Sequence, residues 1–138
     1  GGDSHVSVSP FEELRALEYS QRLRHRARNI IADELAPDVG ANLWLGAAAG
    51  GAQALSQPVG SIEVGRRADL VVLDGNDVDF AGLRAEQALG VALFSGNSNR
   101  VRDVYIGGSI VVREGHHPNE APAAASFRQA LERLRSAP

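Results

Sequence analysis

Gly60-Ser61-Ile62-Glu63-Val64-Gly65-Arg66-Arg67-Ala68-Asp69-Leu70-Val71-Val72-Leu73-Asp74 is the stretch whose reading decides the fold. Its second half, Ala68 to Asp74, is a short apolar run rich in β-branched residues, bounded by Gly65 and Gly75. Such a run predicts a strand buried on both faces. Asp74-Gly75-Asn76-Asp77 then reads as a turn. Downstream, Val101 to Ile106 and Ser109 to Arg113 are two more strand-like runs, joined by Gly107-Gly108. A Gly-Gly pair between strands suits a primed hairpin turn, in which both residues have positive φ. Between the turn and the hairpin, Arg84 to Phe94 fits a short helix.

Upstream, Gln57-Pro58-Val59-Gly60 breaks a helix expected from about Gly40 to Leu55. That helix is rich in small residues, with Gly46, Gly50 and Gly51 among alanines. Glycine weakens an isolated helix by ~1 kcal/mol relative to Ala, so these glycines imply close packing against another element. Before it, Ser9-Pro10-Phe11-Glu12 has the spacing of a capping box with Pro at the first helical position. Phe11, Leu14, Leu17, Leu23, Ala27 and Ile30 recur at helical spacing until Pro37, which predicts one amphipathic helix over about Pro10 to Asp33. Glu18 and Arg22 stand four apart in the favourable orientation. At the other end, Phe127, Leu131 and Leu134 predict a helix from about Ala121 to Arg135. Four helices, one buried strand and one hairpin make an incomplete set of layers. The long helix and the strand at Ala68–Asp74 are therefore expected to carry uncovered apolar faces.

Composition narrows the class. The chain has 138 residues, 43% apolar and 22% charged, which is ordinary for a folded domain. The absence of cysteine excludes a disulfide framework, a cysteine zinc site and a thiol nucleophile. No apolar run approaches the roughly 18 residues that span a bilayer. The net charge of −3 argues against a nucleic-acid partner, although all 14 basic residues are arginine. Arg22, Arg24, Arg26 and Arg28 read as a solvated helix face with Glu12, Glu13 and Glu18 as partners.

Few residues carry chemistry on their own. There is no G-x-S-x-G, no P-loop and no G-x-G-x-x-G. The histidines are His5, His25, His116 and His117, and none has metal-ligand spacing. His25 reads as solvated, and His116-His117 before Pro118 as a loop. His5 is either a neighbour of Asp3 or a surface residue. Asp3, in Gly1-Gly2-Asp3-Ser4-His5 just before a capped helix, stands where a strand end would lead into a helix. In a (β/α)8 barrel that is where catalytic groups sit. A solvated turn former is the other reading of the same residue.

The opening stretch resembles the C-terminal G-x-I-x-x-G-x-x-A-D-L-V-V-L-D run of the amidohydrolase superfamily. Ala48-Ala49-Gly50-Gly51-Ala52-Gln53-Ala54-Leu55 resembles the helix before it. Val101 to Gly115 resembles the V-x-x-V-x-x-G-x-x-V-V-x-x-G hairpin after it. Gly1-Gly2-Asp3-Ser4-His5-Val6-Ser7-Val8-Ser9-Pro10 with Glu12-Glu13-Leu14-Arg15 is similar to the G-S-D-S-H-V-S-x-S-P-x-E-E-L-R motif of the formimidoylglutamate deiminases, with Gly2 in place of Ser.

The resemblance implies an α/β fold. Residues 1–57 would be the C-terminal end of a (β/α)8 metallo-dependent hydrolase barrel, with the end of strand eight and its helices. Residues 58–115 would be the C-terminal half of a small β-sandwich with an inserted helix, and residues 116–138 a C-terminal helix. It implies hydrolysis of N-formimidoyl-L-glutamate to N-formyl-L-glutamate and ammonia, in histidine breakdown, with one divalent metal, usually zinc. Asp3 is the position it assigns to both metal binding and catalysis: it takes a proton from the water on the metal and helps deliver it to the leaving nitrogen. The family's H-x-H, its two further histidines, its catalytic Glu and its substrate-gripping arginines have no counterpart here. The implied partners are a small-molecule substrate and the missing N-terminal part of the same polypeptide, without nucleic acid or membrane. The parent is expected to be a cytoplasmic homodimer and this piece inactive alone. Another deaminase of the superfamily, acting on a cyclic amine, and a non-catalytic interaction module are the alternatives.

Overall fold

The computed structural model describes residues 8–32 and 34–136. Helix α1 spans Pro10–His25 and α2 spans Val39–Leu55. Strand β1 is Leu70–Leu73, helix α3 is Ala88–Phe94, and strands β2 and β3 are Val101–Ile106 and Ser109–Val112. Helix α4, Glu120–Ser136, ends the described chain. Two 3-10 turns, Val78–Phe80 and Ala85–Gln87, precede α3, so the helix expected from Arg84 begins as a 3-10 turn. No helix of the described residues is long and apolar enough to cross a membrane. The chain divides into two units, Gly1–Arg66 with Asp74–Arg100 and Arg67–Leu73 with Val101–Pro138.

The first unit holds α1, α2 and α3. Its core is Leu93, which is fully buried, with Ala92, Leu43, Val39 and Phe11. Pro10 sits at the start of α1, where its missing N–H costs nothing. The expected capping box is not formed: Ser9 is the N-cap residue, but its side chain makes no capping hydrogen bond. The Glu13 N–H donates to the Ser9 carbonyl, and Glu12 and Glu13 complement the helix dipole. At α2, Asp38 is the N-cap and accepts from the Ala41 N–H at 2.7 Å.

Helix α1 stops at His25 rather than Asp33, with Arg26 in the left-handed region at φ 50°. Side chains explain the stop. The Glu18 carboxylate accepts from the Ile30 and Ile31 N–H groups at 3.1 and 3.0 Å. The Asn42 amide donates to the carbonyls of Ile31 and Ala36. These bonds offer the backbone after His25 a non-helical solution. The apolar periodicity also gives the wrong phase. Leu17 and Leu23 are 46% and 82% exposed, while Phe11 and Glu18 are buried. Arg22 pairs with Glu18 as its spacing predicts, at 2.6 Å, but it is part-buried rather than solvated, because its guanidinium lies over the Tyr19 and Phe94 rings at 5.3 and 5.4 Å.

Gly46, Gly50 and Gly51, in the body of α2, are not where close packing occurs. A Cβ at Gly46, Gly50 or Gly51 would meet nothing within 4 Å. The close approach is at Gly40, where a Cβ would lie 2.5 Å from backbone atoms of Gly90 in α3. Helix propensity favours Ala over Gly by about 1 kcal/mol, yet overpacking against backbone costs about 1–3 kcal/mol. Gly40→Ala in the full-length protein is therefore expected to lower the thermal unfolding temperature. An unchanged or higher temperature would contradict the Gly40–Gly90 contact.

The second unit contains a three-stranded antiparallel sheet in the order β1-β2-β3. Gly107 and Gly108 have φ of +56° and +81°, as the primed turn requires. Strand β1 is an edge strand, half-buried rather than buried on both faces, and Val71 is 45% exposed. The register places Val71, Val104 and Val112 side by side on one face, and Leu70, Tyr105 and Ile110 on the other. Both faces are thus apolar, which is why the sequence reads as a doubly buried strand. No residue of α4 is buried, and Phe127 and Leu134 are exposed.

Candidate functional site

Asp3 and His5, the sequence candidates at the N-terminus, lie outside the described residues. What the structure places is the machinery that follows them. The first turn of α1 is stacked onto α2 through Phe11 and Trp44, with ring centroids 5.0 Å apart. One turn further on, Arg15 donates to the carbonyls of Leu93 and Gly96 and to Asn97 Oδ1. After that segment comes Arg100, a buried guanidinium paired with Asp79 and lying 3.5 Å from Asp77. The second half of α1 is held by Glu18. Burial alone pushes its carboxyl up, but the hydrogen bonds from Arg22, Ile31 and Ile30 outweigh that and hold it below its ordinary range.

The other acids with specific partners tie the hairpin together. Asp69 accepts from Arg67 Nε at 2.9 and 3.0 Å and from the Gly107 N–H at 2.8 Å, while the Gly108 N–H donates to the Ala68 carbonyl. The Ala68-Asp69 pair therefore receives the Gly107-Gly108 turn. Asp103 accepts from the Glu114 N–H and from Arg102, bridging β2 to the turn after β3. The Arg67 bond holds the Asp69 carboxyl below the usual carboxylate range, and the Glu114 N–H does the same for Asp103. Both are positioned as structural acceptors.

His25 is exposed at the end of α1. His116 Nδ1 lies 3.3 Å from Glu120, and His117 Nδ1 accepts from the Asn119 N–H, so both belong to the turn before α4. Among the described residues, no three His, Cys, Asp or Glu side chains are grouped to hold a metal ion. The described part of the chain therefore does not fit a metal by itself. Sequence reasoning missed Arg15, Asp69 and Asp103, because each has a backbone partner eleven or more residues away, Leu93, Gly107 and Glu114 respectively.

Known proteins resemble this chain over most of its length. It is 52% identical over 134 residues, 97% of its length, to the formimidoylglutamate deiminase of Pseudomonas aeruginosa, and spans 30% of that relative. A crystal structure of an amidohydrolase from Brucella melitensis superposes with a TM-score of 0.84 at 36% identity, covering 99% of this chain and 30% of that one. A zinc-bound adenosine deaminase from Xanthomonas campestris gives 0.74 at 28% identity, again over 99% of this chain and 30% of that one. The chain thus spans about a third of the length of the relatives it matches. A sequence model of the amidohydrolase family matches residues 12–111. That span runs from the first turn of α1 into β3: the chain belongs to the amidohydrolase family.

Proposed function

We propose that this chain is the C-terminal third of a metal-dependent deiminase that hydrolyses N-formimidoyl-L-glutamate to N-formyl-L-glutamate and ammonia. The observation that carries the reading is the 52% identity across 97% of the chain. In this reading residues 1–57 complete a (β/α)8 barrel, residues 58–115 supply half of a sandwich, and residues 116–138 form the closing helix. A sheet apolar on both faces supports the sandwich, since each face calls for a covering layer.

Asp3 is the residue this chain contributes to the reaction, as a metal ligand and as the carrier of a proton. A divalent metal, zinc in the Xanthomonas campestris relative, would be held in part by Asp3 and would supply acidity to water near neutral pH. The Asp3 carboxylate, when ionised, would accept a proton and return it to the departing nitrogen. Because the other ligands belong to the preceding part of the parent, this chain alone is inactive.

The similarity to an adenosine deaminase favours a second reading, deamination of a cyclic amine. The test is ammonia release by the full-length zinc-loaded protein from N-formimidoyl-L-glutamate and from adenosine. Turnover of the first and not the second is expected. Turnover of adenosine alone would overturn the deiminase reading.

A further inference from the structure

Asp74-Gly75 is the one Asp-Gly pair in the sequence, and no Asn-Gly pair is present. The pair opens the turn that follows β1. The Asp77 N–H donates to the Asp74 carbonyl at 3.1 Å, so residues 74–77 close a four-residue turn with Gly75 and Asn76 at its tip. The Asp74 carboxylate folds over that tip, and its Oδ1 accepts from the Asn76 N–H at 3.0 Å. Both tip residues are exposed. The Gly75 N–H lies between these two bonds and takes part in neither, and it makes no hydrogen bond to any described residue. A Cβ at Gly75 would meet nothing within 4 Å, so the space beside it is open.

A side-chain carboxyl folded back over the next residue's free amide is set up for ring closure. The Gly75 nitrogen attacks Cγ of the acid form of Asp74. A C–N bond forms, a C–O bond breaks, and the hydroxyl leaves with the amide proton as water. The product is a five-membered succinimide. Water then adds to either ring carbonyl and breaks its bond to nitrogen. Opening at Cγ restores aspartate. Opening at the main-chain carbonyl leaves the chain running through Cγ, an isoaspartate of unchanged mass. No reagent other than water is needed. Glycine eases the closure because it has no Cβ to crowd the nitrogen or restrict the backbone. The other described aspartates each precede Val, Leu or Phe, whose side chains crowd it.

We propose that Asp74-Gly75 is a site of spontaneous isoaspartate formation in the folded protein. What Asp74 holds sets the consequence. Its N–H donates to the Arg100 carbonyl at 2.9 Å, which joins the two ends of the segment 74–100. Its carbonyl accepts from Asp77, whose carboxylate lies 3.5 Å from the buried Arg100 guanidinium. Isoaspartate lengthens the main chain by one methylene and turns that carbonyl into a free carboxylate. The geometry of the 74–77 turn is lost, and with it the tie between the turn and Arg100.

The test incubates the full-length protein for weeks at neutral pH, below its unfolding temperature. Gly75→Ala, Asp74→Glu and a urea-denatured sample of the parent run beside it. Peptide mapping with electron-transfer fragmentation separates aspartate from isoaspartate at equal mass and locates it. Isoaspartate at residue 74 is expected to accumulate in the folded parent, several-fold faster than at any other aspartate. Gly75→Ala is expected to slow it several-fold while unfolding near the parent's temperature, since the added methyl has room. Asp74→Glu, which would have to close a six-membered ring, is expected to form no isomer at residue 74. The aged fraction, isolated by chromatography, is expected to unfold at a lower temperature than the fresh protein. The proposal is overturned if the isomer stays undetected at residue 74 of the folded parent, if it forms only in urea, or if Gly75→Ala forms it as fast. An aged fraction as stable as the fresh protein overturns the consequence drawn for the turn.

Discussion

Asp3→Asn in the full-length protein is expected to lower kcat for ammonia release by about 10²- to 10⁴-fold, the range of a lost general acid–base group. The amide is nearly isosteric with the carboxylate, so the substitution changes charge and proton chemistry rather than size. What changes is chemistry: an amide does not accept and return a proton near neutral pH. Because Asp3 is also proposed as a metal ligand, zinc content must be measured on the same sample. Loss of turnover with zinc retained assigns the proton role. Loss of both assigns the ligand role. A fall of less than about tenfold would remove Asp3 from the catalytic machinery, because no acid–base group of that importance is so easily replaced.

The second large effect is expected at Glu18. Its carboxylate is fully buried and accepts from Arg22 and from two backbone N–H groups. Glu18→Ala leaves Arg22 without its partner and the Ile30 and Ile31 amides without an acceptor. Arg22 is partly exposed, so the main loss is the two orphaned backbone donors, and the change is expected to cost about 1–3 kcal/mol, read as a lowered denaturant midpoint of the full-length protein. The pH dependence has a definite sign. The folded carboxyl is held below its ordinary value of 4.5, so the unfolded chain takes up the proton first as pH falls. The stabilisation is complete above that ordinary value and is lost as pH drops through the lower folded value. The gap in unfolding temperature between the parent and Glu18→Gln is therefore expected to narrow on going from pH 6 to pH 3. A gap that widened with acid would contradict the ionised state of Glu18.

Helix α1 shows how far a periodic pattern carries. Leu14, Leu17 and Leu23 announce a helix, and a helix is present, yet Leu17 and Leu23 are exposed and Glu18 is buried. Hydrophobic periodicity reports the faces a helix can bury, not the one it does. The face with Phe11 and Glu18 is used against α2, α3 and the following loop, while Leu17 is half-exposed and Leu23 largely exposed among the described residues, as expected for a piece of a larger fold. The C-terminus of α1 departs from the sequence pattern for a related reason. Nothing local to residues 26–32 forbids a helix. The stop comes from Glu18 and Asn42, one on the preceding helix and one on the next.

The candidate site was legible only through resemblance. Asp3 alone is a common residue near a chain end, and the Gly-Gly-Asp-Ser-His context is what attaches a role to it. The supporting residues were not legible. Arg15 looks like one more arginine on a charged helix, and its three acceptors are some eighty residues away.

By itself the sequence determined the kinds of element and the family: small-residue and apolar periodicities for helices, a β-branched run, and a Gly-Gly pair whose positive φ follows from local sterics. Those properties are set within a few residues of chain. Which helix face is buried, where α1 stops, why Gly40 must lack a side chain and what Asp69, Asp103 and Arg15 hold were decided only by tertiary structure. The physical reason is that hydrogen bonds and backbone contacts between distant segments depend on distance and angle in space, which no local spacing encodes.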